Sequence, residues 1–134
     1  VARLGGMLHF MLPEADNATM QPDDNALMYA ATGLPKLVDS MVARGAQEQR
    51  LILCASGGAR TLAAGRQMSI GEGNRSKMLQ VLESMGLHLL AEDTRGSVAR
   101  TMSLDLQTGQ VCVRIKGRES LLWSDAVATI SSDH

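Results

Sequence analysis

The chain has 134 residues, 45% of them apolar and 20% charged, which is the length of one domain and the composition of a folded globular protein. Thirteen Lys and Arg face fourteen Asp and Glu, and the resulting charge of −1 provides no basic field that would attract nucleic acid or anionic lipid. Nine Met accompany only three aromatic residues, which also argues against a surface for stacking bases.

The two cysteines, Cys54 and Cys112, form neither a CxxC motif nor a multi-bridge framework. This usage is typical of a reduced, cytoplasmic protein. No apolar run approaches the roughly 20 residues that cross a bilayer, and no signal segment opens the chain, so we expect no direct membrane insertion. The chain starts at Val1 rather than Met and enters an apolar stretch at once, which predicts that a segment of the domain is missing from its N-terminus.

The first part of the chain predicts a strand, a loop and a helix. Residues 6–12 are apolar except for His9 and end at a proline, a pattern that favours a short buried strand. Residues 14–24 show no hydrophobic periodicity and are predicted to form an exposed loop. Apolar side chains then recur every three or four positions over residues 27–41, which predicts a helix that ends near Gly45.

A second strand and a second helix follow. Residues 51–55 are predicted to form a buried strand that leads into the glycine loop Ser56-Gly57-Gly58-Ala59. The run Gly71-Glu72-Gly73-Asn74 is expected to precede the second helix, whose C-terminus is predicted at Gly86.

The last part of the chain is predicted to be rich in strands. Residues 87–91 predict a strand, residues 93–96 a turn, and residues 101–106 with 110–115 a β-hairpin. The tail from residue 116 carries apolar spacings compatible with a short helix. This order of elements predicts an α/β (α+β layered) fold in which a mixed sheet is covered by helices on one side.

His9 is the first candidate for chemistry, since a titratable imidazole stands among apolar residues and could act as a general base. A satisfied core or surface histidine is the simpler interpretation. The loop Ser56-Gly57-Gly58 could present N–H groups to an oxyanion, but a purely structural turn is the favoured interpretation.

The run that ends in Asn74 could bind an anion at a helix N-terminus, but it lacks the Lys of a phosphate loop, and capping by Asn74 or Ser69 is favoured. Cys54 and Cys112 would be nucleophiles only if their thiolates were stabilised, and both are interpreted as small buried residues. The histidines and cysteines show no ligand spacing, so no metal site is predicted.

Together these segments resemble the CheD family, the chemoreceptor glutamine deamidases of bacterial chemotaxis. The resemblance covers about residues 1–116, which we interpret as an N-terminally incomplete CheD-like deamidase domain, with residues 117–134 as a C-terminal tail. It rests on Gly5-Gly6-Met7-Leu8-His9-Phe10-Met11-Leu12-Pro13, Tyr29, Gly45-Ala46, Ser56-Gly57-Gly58-Ala59, Ile70-Gly71-Glu72-Gly73-Asn74, Ala91-Glu92-Asp93 and Thr108-Gly109-Gln110-Val111.

The resemblance implies an α/β/β sandwich and a hydrolase that converts glutamine side chains of methyl-accepting chemotaxis receptors to glutamate with release of ammonia. The implied chemistry is thiol acyl transfer by a Cys-His pair, with an oxyanion held by N–H donors and with no metal or cofactor. The implied partners are these receptors and a CheC-type phosphatase, without nucleic acid.

By this resemblance His9 occupies the position of the catalytic histidine, and Ser56, Gly57, Gly58 and Asn74 are the expected substrate-binding residues. The family's nucleophilic Cys lies upstream of its histidine, in a segment that these 134 residues do not contain. We therefore expect the chain by itself to be inactive.

The sequence departs from the family pattern at Ser56, at Gly73, and at Arg95 and Ala99 in the turn after Asp93. These departures leave two further hypotheses open. One is a catalytically inactive module that binds receptors or the phosphatase. The other is that Cys54 has become a substitute nucleophile beside His9.

Overall fold

The structure is a computed structural model that describes residues 3–16, 25–60 and 70–125. Its regular elements are, in chain order, α1 (Ala30–Ala43), β1 (Cys54–Gly57), α2 (Ile70–Ser84), β2 (Ala91–Thr94), β3 (Thr101–Leu104), β4 (Val111–Ile115) and β5 (Arg118–Trp123). Short 3₁₀ turns precede α1 and β1, at Ala26–Met28 and Glu48–Arg50.

The strands form two open sheets. β1 and β2 pair in parallel, with Cys54 opposite Ala91 and Gly57 opposite Thr94, whereas β3, β4 and β5 form an antiparallel sheet in that order. The predicted mixed α/β class is confirmed. Within the three described ranges, the parallel and the antiparallel pairings are divided between two sheets.

The predicted first helix is confirmed as α1. No side chain caps its N-terminus, and its first N–H groups are satisfied by the preceding chain: Ala30 and Ala31 donate to the carbonyl oxygens of Leu12 and Pro13 at 2.9 and 3.0 Å. Pro35 lies inside α1, where it removes one intrahelical N–H donor, but the apolar face of the helix continues past it.

The boundary of α2 differs from the prediction. Residues 71–74 do not precede this helix but belong to its first turns. Gly71 is needed there for a close approach rather than for a turn, because a Cβ would overlap the carbonyl oxygen of Gly58 and lie 2.9 Å from that of Ala59. The predicted C-terminus is confirmed, since Gly86 follows the helix with a left-handed φ of 71°.

The main core lies between the two helices. Ala30 and Leu34 of α1 pack with Met78 and Leu82 of α2, and all four are buried. The partly buried side chains around them come from both sheet and loop segments: Leu8, Phe10, Leu53, Ala55, Leu79, Val81, Leu87 and Leu89. The helices therefore cover the parallel pair and the segment that carries residues 8 and 10.

Both strands of the parallel sheet lie further along the chain than predicted. The predicted strand at 51–55 is observed as β1, and that at 87–91 as β2, which includes part of the predicted turn at 93–96. The apolar runs are the approaches to the strands: the N–H of Leu90 donates to the carbonyl oxygen of Leu53 just before the ladder begins. The hydrogen-bonded ladder itself includes polar residues, such as Ser56 in β1 and Glu92 and Asp93 in β2.

The hairpin of β3 and β4 is confirmed, and Val111 and Val113 of β4 are buried on one face. The short helix predicted after residue 116 is wrong for Arg118–Trp123, which form β5, and residues 126–134 lie outside the described residues. Lys116 and Gly117 both have positive φ, 49° and 77°, which is the two-residue hairpin turn that returns the chain.

Candidate active site

His9 lies on the exposed face of an extended segment. Leu8 and Phe10 pack against the helical core, whereas Met7 and Met11 are 55% and 60% exposed. His9 shares the face of Met7 and Met11 and is itself exposed. This alternation has the period of a strand and directs the imidazole away from the core. His9 is therefore open to groups outside the core.

The prediction of a buried, paired strand at residues 6–12 is wrong. Its ladder within the described residues is a single bridge between Leu12 and Tyr29. The N–H groups of Met11 and Leu12 both donate to the carbonyl oxygen of Met28, at 2.8 and 3.1 Å. The segment is thus fixed at its C-terminal end by the chain that enters α1, and not by a neighbouring strand.

Before His9, two glycines let the same segment pass between α1 and the β-hairpin. A Cβ at Gly6 would lie 2.9 Å from Leu37 and Met41 of α1, and one at Gly5 would overlap Leu106 beyond β3. The two faces of the segment therefore contact two different layers of the fold. This placement positions the backbone of His9 from both sides.

The start of α2 brings the other predicted site residues toward this segment. Gly71 abuts the carbonyl groups of Gly58 and Ala59, and a Cβ at Gly73 would lie 3.3 Å from Pro13. Both contacts depend on the lack of a side chain in the first turns of the helix. The end of β1 and the end of the His9 segment therefore meet at the N-terminus of α2.

A side-chain hydrogen bond from Asn74 joins α2 to the His9 segment. Its Nδ2 donates to the carbonyl oxygen of Met11 at 3.0 Å, so the predicted role as a helix cap is wrong. The Oδ1 of Asn74 and the Oγ of Ser56 are buried and have no hydrogen-bond partner among the described residues. Such groups are costly unless a ligand or water satisfies them.

The structure thus places Gly58 against Gly71 and Asn74 one turn further along α2, with Ser56 and Gly57 on the strand that leads to Gly58. His9 lies two residues before the carbonyl that Asn74 binds. All five predicted site residues therefore belong to segments that converge on one end of α2.

Neither cysteine has the environment of a nucleophile. Burial raises the pKa of Cys54, with a smaller opposing effect from a backbone hydrogen bond to Ala91. The pKa of Cys112 is also raised, by burial and then by Glu119. Activated thiols have a lowered pKa, because the thiolate is the attacking species. Both side chains are intermediate in exposure, so they are not fully buried core residues as predicted.

Sequence reasoning missed a polar pocket next to Gly58. Its volume is about 440 Å³, and it is lined by Gly58, Arg60, Glu72, Arg95, Gly96 and Ser97. Arg60 donates through Nη2 to Glu72 at 2.6 Å across it. The sequence did contain one signal, Arg95 in the turn after Asp93, where the family pattern has glycine. Only the fold brings that turn next to the end of β1.

A salt bridge fixes α2 to β2 beside this pocket. Arg75 donates to both carboxylate oxygens of Glu92, at 2.9 and 2.6 Å, and Thr94 donates to one of them at 2.8 Å. The hydrogen bond from Arg75 is the main reason that the pKa of Glu92 falls from its ordinary 4.5 to about 2. The Glu92 side chain is 31% exposed.

This contact predicts a pH dependence of stability. A carboxyl group whose pKa is lower in the folded state stabilises the fold above its unfolded pKa, and that contribution is lost as the pH falls from 4.5 toward about 2. After screening by solvent is allowed for, we expect about 1 kcal/mol. Urea titrations at several pH values should show a shallower acid limb for Glu92→Gln than for Glu119→Gln, whose exposed ion pair with Arg114 measures 3.9 Å. Identical limbs would contradict the prediction.

In the described part of the chain no helix is long and apolar enough to cross a membrane. Nor do those residues include a group of three or more His, Cys, Asp or Glu that could hold a metal ion.

Comparisons with known proteins agree on one family. Residues 11–115 match the family model for CheD chemotactic sensory transduction. The chain is 36% identical over 120 residues to a probable chemoreceptor glutamine deamidase CheD of Moorella thermoacetica, covering 87% of this chain and 71% of that protein. It is 36% identical over 122 residues to the chemoreceptor glutamine deamidase CheD of Thermotoga maritima, covering 90% of this chain and 74% of that protein.

A probable chemoreceptor glutamine deamidase CheD of Solibacter usitatus is 35% identical over 121 residues, covering 90% of this chain and 72% of that protein. The matches extend over most of the chain and over both sheets and both helices. The chain therefore belongs to the CheD family.

Proposed function

We propose that the protein is a glutamine deamidase that acts on chemotaxis receptors. The observation that carries this proposal is the 36% identity, over 90% of the chain, to the Thermotoga maritima protein named as such a deamidase. The reaction is hydrolysis of a side-chain amide, in which glutamine becomes glutamate and ammonia is released. Such a reaction takes place in the cytoplasm, at the receptor domains that face it.

His9 is the proposed general base. It removes the proton of the attacking thiol and later returns a proton to the leaving ammonia, as in other acyl transfers by Cys-His pairs. This role requires an imidazole that faces solvent or substrate, and His9 lies on the exposed face of its segment. Its backbone is fixed by the contacts of Gly6 with α1 and of Met11 with Asn74.

The end of β1 and the start of α2 are the proposed substrate contacts. The Oγ of Ser56 and the Oδ1 of Asn74 have no hydrogen-bond partner among the described residues. A hydrogen bond from each to a carboxamide or peptide group of the substrate would offset the cost of their burial. Gly57 leaves the backbone open to a substrate chain, because nothing lies within 4 Å of the position of a Cβ there, and Gly58 continues this loop against the start of α2.

The nucleophile is proposed to be a thiol outside these 134 residues. The raised pKa values of Cys54 and Cys112 argue against both thiols, and the chain has no third cysteine. On this proposal the 134-residue chain binds substrate but does not turn it over. A Gly-Ser-Cys segment upstream of His9 in the reading frame is the expected source.

Replacing Cys54 should therefore have little effect on catalysis. We expect Cys54→Ala to keep the ammonia-release rate of the thiol-bearing protein on receptor cytoplasmic domains, since the thiol is half-buried and has a raised pKa. Its unfolding midpoint should fall slightly because β1 loses packing volume. Loss of activity in a folded Cys54→Ala protein would instead identify Cys54 as a substitute nucleophile.

The main test of the function is ammonia release from purified receptor cytoplasmic domains, with mass spectrometry to locate each glutamine that becomes glutamate. A second candidate function is a catalytically inactive module that binds receptors or a CheC-type phosphatase, and it is favoured by the lack of an activated thiol among the two cysteines. Receptor binding without ammonia release by the thiol-bearing protein would support that module. A protein that releases ammonia would exclude it.

A further inference from the structure

The pocket next to Gly58 lies where the parallel strands β1 and β2 end. In open sheets, ligands bind beyond the carboxyl ends of parallel strands. Here the segments that follow the two strands remain hydrogen-bonded to each other. The N–H of Arg95 donates to the carbonyl oxygen of Gly57 at 3.0 Å, and the N–H of Arg60 donates to the carbonyl oxygen of Gly96 at 2.8 Å. These bonds make a fixed floor for the pocket.

Arg95 stands at a strained position on this floor. Its φ of 71° lies in the left-handed region, which is unfavourable for a residue with a side chain and free of strain for glycine. Among the described residues its guanidinium makes no hydrogen bond, and its interaction within the fold is the electrostatic attraction that helps to lower the pKa of Glu92. Gly96 follows with a φ of 69°, so the pair resembles the Lys116-Gly117 turn, and Arg95 differs from Lys116 in lining a pocket.

Among the described residues that line the pocket, positive charges exceed negative charges by one. Arg60 and Arg95 line it together with a single carboxylate, Glu72, which Arg60 contacts at 2.6 Å. In the strand that leads to Arg95, Glu92 is bound by Arg75 and Asp93 by Arg100. The excess of one charge suits a carboxylate better than a phosphate, since Glu72 would repel a second negative charge.

We propose that this pocket binds an acidic side chain of the polypeptide substrate, with Arg95 and Arg60 as specificity-determining residues. The inference rests on the proposed deamidase function, because Gly58 is shared between the pocket and the proposed substrate-binding loop. The pocket is open to the surface, with the Arg60 side chain 72% exposed, so an extended or helical segment can reach it. The target glutamine is thereby selected through a neighbouring Asp or Glu.

The test uses synthetic peptides that carry one glutamine and one glutamate at successive distances from it, each paired with a peptide in which serine replaces the glutamate. Dissociation constants for the 134-residue chain are measured by fluorescence anisotropy. At one spacing we expect the glutamate peptide to bind about tenfold more tightly than its neutral partner. This preference should weaken as the salt concentration rises.

Arg95→Gly and Arg60→Gln should each reduce that preference and leave the affinity for the neutral peptide unchanged. Arg95→Gly also removes the backbone strain, so its melting temperature should rise, which verifies that it folds. Arg114→Gln, on the exposed side of β4, is the matched control and should keep the preference.

Equal affinities for charged and neutral peptides at every spacing would overturn the inference and leave the proposed function standing. So would a preference that survives in both arginine variants. Absence of binding to every peptide would overturn the inference and the proposed substrate recognition together. A preserved acidic preference with no ammonia release by the thiol-bearing protein would support the pocket and refute only the deamidase.

Discussion

Replacing His9 by alanine is expected to lower kcat/KM for ammonia release by about 10³-fold in the protein that carries its nucleophilic thiol. The thiol would then have no base to remove its proton, and the leaving ammonia no acid to protonate it. Thermal unfolding should be unchanged, because His9 is exposed. Initial rates on receptor cytoplasmic domains, measured at saturating and at low substrate, give kcat and kcat/KM.

His88→Ala is the matched control for this experiment, since His88 is also exposed and lies on the approach to β2. It should retain the rate of the unaltered protein. A His9→Ala protein with unaltered kcat/KM would contradict the assignment of His9. Equal losses in both histidine variants would point to a general effect on folding.

Replacing Gly71 by alanine is expected to lower the free energy of unfolding by about 3 kcal/mol. The added methyl group would overlap the carbonyl oxygen of Gly58 and press on that of Ala59, and both are backbone atoms that cannot turn aside. The melting temperature should fall by about 10 °C. Urea titration followed by circular dichroism measures both the midpoint and the slope of the transition.

Gly73→Ala is the control in the same helix. Its Cβ would meet only the ring of Pro13 at 3.3 Å, and alanine has the higher helix propensity, so these two effects offset each other to within about 1 kcal/mol. Equal destabilisation by both substitutions would mean that the contact with Gly58 is not what constrains Gly71. Since that contact also positions the proposed substrate loop, Gly71→Ala should raise KM as well.

Segments with a strong hydrophobic period were predictable. The apolar stripe of α1 survives Pro35, and the alternation of Val111 and Val113 in β4 marks the inner face of the hairpin. The two strands of the parallel sheet were misplaced, because their paired residues are partly polar. Within β2, Glu92 forms an ion pair with Arg75 and Asp93 forms one with Arg100. Hydrophobic periodicity gives no sign of either ion pair.

For the site, the roles of His9 and the glycine loop stay predictions from the sequence, whereas the capping role given to Asn74 was wrong. A residue near the start of a helix is expected to cap it, but Asn74 lies inside α2 and instead binds the carbonyl of Met11, 63 positions earlier. The Lys116-Gly117 turn was missed for a local reason, since lysine at a positive φ is uncommon. It sends the chain back as β5.

The order of the elements and motifs in the sequence by itself determined the mixed α/β class and the CheD family, and it predicted His9 as the catalytic residue, because these depend on local residue patterns. Only the tertiary structure decided which face His9 occupies, that Gly71 is a contact with Gly58, and that Arg60 and Arg95 share one pocket. The physical reason is that each of these depends on distances between segments that are far apart in sequence, and close packing alone sets those distances.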